Sequence, residues 1–336
     1  MSRSSSKRRH ALRKRYTIPA AAAGLAAAAA FVLVPGSAEA AYPGPGVVTG
    51  DVGAHDPSMV KTPAGKYLLY STHGLVEGRS STDRTAFKRT ADAFAAPPSW
   101  WAKYSPDNDP WAPDISRVGD TYYMYYSLST FGTNNSAIGL ATSATGEPGS
   151  WKDHGLVVSS RTSDDFNAID PSLLVDGGKW YLAFGSFWSG IKQIELDPAT
   201  GKPKAGATRY SLASRQSADG AVEGPTVVKR GSYFYLFASY DKCCSGTDST
   251  YKIKVGRATS PNGPYVDRNG VDMRKDGGTP VLESHGDIVG PGGQDVLLDD
   301  ADGDLLVYHY YDAKDNGSPK LGLNLIDWSG GWPRAR

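Results

Sequence analysis

Four acidic residues occupy similar local settings along the 336-residue chain. Asp56 lies in His55-Asp56-Pro57-Ser58, Asp114 in Ala112-Pro113-Asp114, Asp170 in Ile169-Asp170-Pro171-Ser172, and Glu223 in Glu223-Gly224-Pro225-Thr226. Gln294 holds a fifth, weaker copy. A lone Asp-Pro is most simply a turn; repetition of the setting argues for a shared position instead. Several carboxylates gathered in one place are costly unless a pKa rises or a cation binds. Two uses follow. Oxygen ligands could hold calcium, or the acids could act on a sugar, one protonated and one ionised. Hydrolysis of a glycosidic bond needs such a pair. Glu223 is the natural acid, because it reaches farther than the aspartates by one methylene. Asp56 then faces it as base, and the charge of Asp170 raises the pKa of Glu223 and holds it in place. Asp114 is assigned a structural role.

The elements that must position these residues repeat too. Each setting leads through an apolar run and a Gly turn into an aromatic strand: GKYLLYST, GDTYYMYYS, GKWYLAFGSFW, GSYFYLFAS and DLLVYHYY. From Asp56 to Tyr67, Asp170 to Tyr181, Glu223 to Phe234 and Gln294 to Leu305 the offset is 11 residues. From Asp114 to Tyr123 it is 9, which a turn shorter by two residues would explain. A further strand follows, clearest in IGLATSATGEPGSW and KVGRATSPNGPY. Internal repeats of this kind signal solenoids or propellers, and short antiparallel strands in each unit make propeller blades. The expectation is an all-β, five-bladed β-propeller with the acids at its central channel; an ordinary β-sandwich is the alternative. The Pro after Asp56 is expected to hold that Asp extended at a strand start.

Residues 1–40 read as a secretory signal peptide. Arg3, Lys7, Arg8, Arg9, Arg13, Lys14 and Arg15 precede an Ala-rich apolar run from Ile18 to Val34, and Ala38-Glu39-Ala40 is a small-residue processing site. A membrane anchor is the competing reading; the run is Ala-rich and stops at Pro35 before the processing site. Arg8-Arg9 hints at a twin-arginine route. The whole chain carries 36 Lys+Arg and 35 Asp+Glu; residues 41–336 carry 29 against 34, a formal charge of −5. Such a surface argues against nucleic acid, which needs basic patches. Residues 41–336 are expected to form one secreted, monomeric catalytic domain with no membrane partner after processing. The two cysteines, Cys243 and Cys244, are adjacent, which allows a vicinal disulfide or two thiols but no disulfide framework and no zinc site. Between residues 90 and 113, Trp100, Trp101 and Trp111 could serve binding or pack over blade edges.

At these residues the chain resembles the endo-1,5-α-L-arabinanases of glycoside hydrolase family 43. The matching motifs are HDPS at 55–58, WAPDI at 111–115, SLSTFGTNNSAIGLATS at 127–143, NAIDPSL at 167–173, FGSFWSGIK at 184–192, EGPTVV at 223–228, CCSGTDSTYKIKVGR at 243–257 and GPG at 290–292. The resemblance implies a five-bladed propeller that cleaves internal α-1,5 bonds of arabinan with inversion. It implies Asp56 as general base, Glu223 as general acid and Asp170 as pKa modulator. It also implies a substrate groove lined by Asn167, Ala168, Ile169 and Asp170 with Ser186, Phe187 and Trp188, and Gly132 at its rim. No cofactor is required for the chemistry. Many bacterial members place a His after GPG that holds a cation at the channel floor; here Gly293 stands there, so no metal ligand carries over. His285 or His309 could substitute, or each could be a buried, hydrogen-bonded His. Competing functions are an exo-acting arabinofuranosidase or β-xylosidase, and a non-catalytic sugar-binding propeller, which would not need Asp56, Asp170 and Glu223 together.

Overall fold

The aromatic runs form the second strand of five antiparallel sheets. The structure, a computed structural model, describes residues 42–299 and 301–336; the expected signal segment 1–40 lies outside them. Blade one comprises Ser58–Lys61, Tyr67–Ser71, Glu77–Ser81 and Ala86–Arg89. Blade two comprises Trp111–Val118, Thr121–Leu128, Ser136–Ser143 and Lys152–Ser160. Blade three runs Ser172–Asp176, Lys179–Phe184, Ile191–Asp197 and Arg209–Ala213. Blade four is built from Val222–Arg230, Tyr233–Tyr240, Lys252–Ala258 and Thr279–Leu282. Blade five has Ile288–Leu297, Leu305–Asp312, Ser318–Asp327 and the short Arg334–Ala335. First strands of successive blades lie side by side, and those of blades five and one meet, closing the expected five-bladed β-propeller.

Both faces of each blade are buried, so the strands read as near-continuous apolar runs. Phe234, Leu236 and Ala238 pack toward blade three, whereas Tyr235 and Phe237 pack toward blade five. This alternation follows from the two-residue period of a strand. Equivalent apolar layers lie between all neighbouring blades, including Met59, Leu69 and Phe87 against Val307 and Leu323 between blades one and five. The N-terminal lead helps close the ring: Gly46 N–H donates to Leu323 O (2.8 Å) and Leu321 N–H to Val52 O (2.7 Å). Trp101 is fully buried and Trp100 half-buried over blade two, where their indoles donate to Tyr126 and Asp153.

The entrance to each first strand shares a conformation. Asp56, Ala112, Asp170, Gly224 and Gly293 have φ of 45°, 32°, 57°, 56° and 54°. The expectation that Pro57 holds Asp56 extended is therefore wrong, and Asp170 before Pro171 is left-handed as well. Asp tolerates the left-handed region because its short polar side chain bonds locally. In blades two, four and five two residues of the first strand oppose one of the second at this point: 112–113, 224–225 and 293–294. These are β-bulges, which re-aim side chains at a strand end.

The five shared positions also correct the repeat register. Asp114 stands two residues beyond the slot of Asp56, Glu223 one before it and Gln294 one after it. A shorter turn does not explain the offset at Asp114, since the hairpin turns after blades two and three both have two residues. Asp114 instead belongs to a ring of clasps with Ser58, Ser172, Thr226 and Asp295. Ile115 N–H donates to Ser58 Oγ (3.0 Å), Leu173 N–H to Asp114 Oδ2 (3.0 Å) and Val227 N–H to Ser172 Oγ (3.2 Å). Thr226 Oγ1 donates to Gln294 O (2.7 Å), and Met59 N–H donates to Asp295 Oδ2 (2.9 Å). Each bond joins one blade to the next, and together they tie the ring beneath the strand entrances.

Candidate active site

The strand entrances aim Asp56 from blade one, Asp170 from blade three and Glu223 from blade four into one cleft of about 1170 Å³. Glu223 enters just before the bulge at 224–225, and Gly224 N–H donates to Asp170 Oδ2 (3.0 Å), coupling the two acids through the backbone. Ser127 Oγ accepts the Asp170 N–H (2.9 Å). Gly293 leaves the room that Asp56 occupies: a Cβ there would run into Asp56 Oδ1 and His309 Nδ1.

The carboxyls differ in ionisation. Burial pushes Asp56 up, but the charge and hydrogen bond of His55, with Thr72 Oγ1 donating to Oδ2 (2.9 Å), overcome it. His55 Nδ1 lies 2.8 Å from Asp56 Oδ2. The Asp56 carboxyl is thus held well below the ordinary range and is ionised at neutral pH. Glu223 is pushed up, chiefly by burial and further by the charge of Asp56, against hydrogen bonds from Ser186 and Tyr251. Asp170 is also pushed up, by burial and then by Glu223 and Asp56. Asp170 and Glu223 titrate as a pair, so a proton held there belongs to both. The arrangement offers an ionised carboxylate facing a protonated pair, the state that acid–base attack on a glycosidic bond requires.

Gly132, Asn167, Ile169, Ser186, Phe187 and Trp188 all line the cleft. Ala168 does not; it is fully buried in the layer with Phe166 and Phe184, because neighbouring residues of an extended segment face opposite ways. Trp188 is 42% exposed and Phe131 80% exposed, leaving apolar ring faces open to a ligand. Asn167 is 3% exposed, and its Oδ1 has no partner. A buried acceptor of that kind suits a ligand hydroxyl. His73, Asp109, Trp111, Cys243, Cys244, Tyr251 and Tyr311 complete much of the wall. Trp111 is the one member of the 90–113 tryptophan group found there. Cys243 and Cys244 form a vicinal disulfide.

His55, Asp56 and His309 are the one group among the described residues whose potential ligand atoms cluster, all within 4.8 Å. Their facing atoms bond one another, while His309 Nε2 is buried without a partner. Asp56 N–H donates to His309 Nδ1 (3.1 Å), and His55 Nδ1 meets the Asp56 carboxylate. Burial, then the charge of His55, pushes the fully buried His309 down to about 3, so it is neutral. His285, whose Nδ1 lies 2.8 Å from Glu283 O, stands away from the cleft lining. Gly293 offers no ligand atom. The acid–base chemistry of the site calls for no cation.

A five-bladed propeller with an acidic, aromatic-walled cleft over its axis defines a glycoside hydrolase. Residues 47–333 match glycosyl hydrolases family 43, and the chain belongs to that family. It is 46% identical over 288 residues to the extracellular endo-α-(1→5)-L-arabinanase 1 of Bacillus subtilis (strain 168), covering 83% of this chain and 86% of that protein. The structure of the GH43 endo-arabinanase from Bacillus licheniformis matches with a TM-score of 0.81 at 45% identity, over 86% of this chain and 99% of that one. An exo-1,5-α-L-arabinanase from a bovine ruminal metagenomic library matches with a TM-score of 0.80 at 37% identity, over 86% and 99%.

Proposed function

We propose that this glycoside hydrolase is a secreted endo-1,5-α-L-arabinanase that cleaves internal α-1,5-L-arabinofuranosidic bonds of arabinan with inversion. The observation that carries the reading is the convergence of Asp56, Asp170 and Glu223 in one aromatic-walled cleft, with Asp56 beside His55 and Asp170 linked to Gly224; their opposed ionisation fits it. Glu223 gives its proton to O5 of the departing arabinose as the bond to C1 breaks. Asp56 takes a proton from a water whose oxygen bonds to C1 from the opposite face. The products are a new reducing end of inverted configuration and a shortened chain. Asp170 keeps Glu223 protonated through its charge and their shared backbone link. Phe187 and Trp188 offer ring faces to furanose units, and Asn167 Oδ1 an acceptor to a hydroxyl. The extracellular relative supports secretion, with residues 1–40 as the signal. All the groups named come from one chain, which supports action as a monomer.

An exo-acting enzyme is the second reading, favoured by the likeness to the ruminal exo-arabinanase. Cleft size argues for endo action: about 1170 Å³ exceeds the roughly 300–1,000 Å³ of a pocket for one small ligand. A time course on debranched 1,5-linked arabinan tests the proposal. A ladder of oligosaccharides preceding arabinose supports it. Arabinose or a single short product from the outset would establish exo action, and binding without any product would leave only a sugar-binding propeller.

A further inference from the structure

Tyr311 lies on Leu305–Asp312 of blade five, and its hydroxyl stands at the cleft wall. That oxygen accepts the Cys244 N–H at 2.8 Å. It sits 3.1 Å from His55 Nε2. The phenol thus links the Cys244 backbone to the His55 ring. On the other side of the same ring, His55 Nδ1 faces Asp56 Oδ2 at 2.8 Å. A chain of three hydrogen bonds thus runs from the Cys244 backbone to the carboxylate. At its origin Cys244 is left-handed (φ 60°) and joined covalently to Cys243, and its Sγ lies 3.9 Å from His55 Nε2. Left-handed backbone is unfavourable for a residue with a Cβ, so the bond to Cys243 restrains Cys244 where an open chain would relax.

We propose that Tyr311, anchored by the Cys243–Cys244 loop, is a positioning residue that fixes the ring plane of His55 and through it the orientation of the Asp56 carboxylate. The inference rests on Asp56 acting as the base. The hydrogen bond made by one ring nitrogen of a His governs what the other nitrogen meets.

Other groups face the same assembly. The His309 ring stacks on His55 at 3.9 Å, and His73, paired with Asp109, lies 6.4 Å from it. Thr72 bonds the carboxylate, while Glu223 and Asp170 repel its charge. Tyr311→Phe changes none of these side chains and removes one hydroxyl.

The test compares pH profiles of kcat and kcat/KM on a linear 1,5-arabino-oligosaccharide. Tyr311→Phe is expected to lower kcat about tenfold, part of the roughly 10²–10⁴ that a positioned acid or base supplies. KM should stay within about twofold, and the acid limb should move to higher pH as Asp56 loses an oriented donor. Reducing the wild-type disulfide with a phosphine should move the same limb the same way, and should add nothing in Tyr311→Phe, since residues of one network are not additive. A fall in rate with an unshifted acid limb would make Tyr311 a structural prop and overturn the proposal. A full additional shift on reducing the variant would overturn the link to the disulfide. Full activity of Asp56→Asn would instead overturn the assignment of the base.

Discussion

Ser186 Oγ donates a 2.7 Å hydrogen bond to Glu223 Oε2, the shortest link between the aromatic wall of the cleft and its proposed acid. The bond favours the charged form of Glu223 and opposes the upward push of burial. Ser186→Ala should therefore let the Glu223 pKa rise, and the basic limb of the pH–rate profile should move to higher pH. A shift of about one unit corresponds to about 1.4 kcal/mol. The profile of the variant beside wild type checks this; a limb that stays in place or moves down would remove Ser186 from control of the acid.

Loss of either principal carboxyl should abolish turnover while sparing binding. Asp56→Asn and Glu223→Gln are each expected to reduce kcat by at least about 10²–10⁴-fold, the range for a positioned acid or base. Arabinan affinity should change little, because Phe187, Trp188 and Asn167 remain. An aryl arabinofuranoside whose leaving group needs no proton should recover rate in Glu223→Gln but not in Asp56→Asn. Rate and affinity measured on both variants check the assignment, and equal recovery in both would show that the roles are not divided this way.

Wild-type activity should follow a bell in pH. The rising limb reports ionisation of Asp56, which is held below the ordinary carboxyl range, so it should lie at distinctly acidic pH. The falling limb reports loss of the proton shared by Glu223 and Asp170, both pushed up, so it should lie above the ordinary range. Apparent pKa values from kcat/KM belong to the free enzyme. Asp170→Asn removes the charge that holds the proton in place and should bring the falling limb down. A falling limb unmoved in that variant would mean that burial and the Asp56 charge hold the proton without Asp170.

Ser58 offers a test of the ring of clasps away from the chemistry. Its hydroxyl donates to Asp295 Oδ2 (2.8 Å) and accepts the Ile115 N–H (3.0 Å), joining blades five, one and two. Ser58 is 2% exposed, so Ser58→Ala leaves a buried N–H without that acceptor, at a cost of about 1–3 kcal/mol. Denaturant unfolding should show that loss. A variant as stable as wild type would mean that the blades are held by their apolar layers alone.

The carboxyls of the cleft were legible because the Asp-Pro and Glu-Gly-Pro settings repeat before aromatic strands, and the five blades followed from the same repetition. Their register was not. Counting back from the aromatic strand treats the first strand as regular, yet bulges at 112–113, 224–225 and 293–294 insert residues into it. Asp114 was therefore matched to Asp56, when it takes the place of Ser58. The partners that set Asp56 were also hidden. His309 and Tyr311 sit inside the run VYHYY, where nothing local distinguishes a residue facing the axis from one facing a neighbouring blade. Only closure of blade five onto blade one brings them beside His55. Ala168 was included by its neighbours, although alternation along the extended segment turns it into the core.

Gly293 ties local backbone conformation to catalysis most directly. It is left-handed, φ 54°, and the space where its Cβ would stand is filled by Asp56 Oδ1 and His309 Nδ1. Gly293→Ala should pay about 1–2 kcal/mol for left-handed backbone. It should also displace the Asp56 carboxylate, breaking its alignment with His55 and Thr72. Stability should fall modestly, while kcat falls out of proportion, by about 10²-fold if the base moves by about 1 Å. Gly231, left-handed at φ 59° in a turn far from the acids and with open space at its Cβ, supplies the control. Gly231→Ala should pay a similar backbone cost and keep its activity. If both variants lose stability alike and both retain turnover, Gly293 does not set the position of the base.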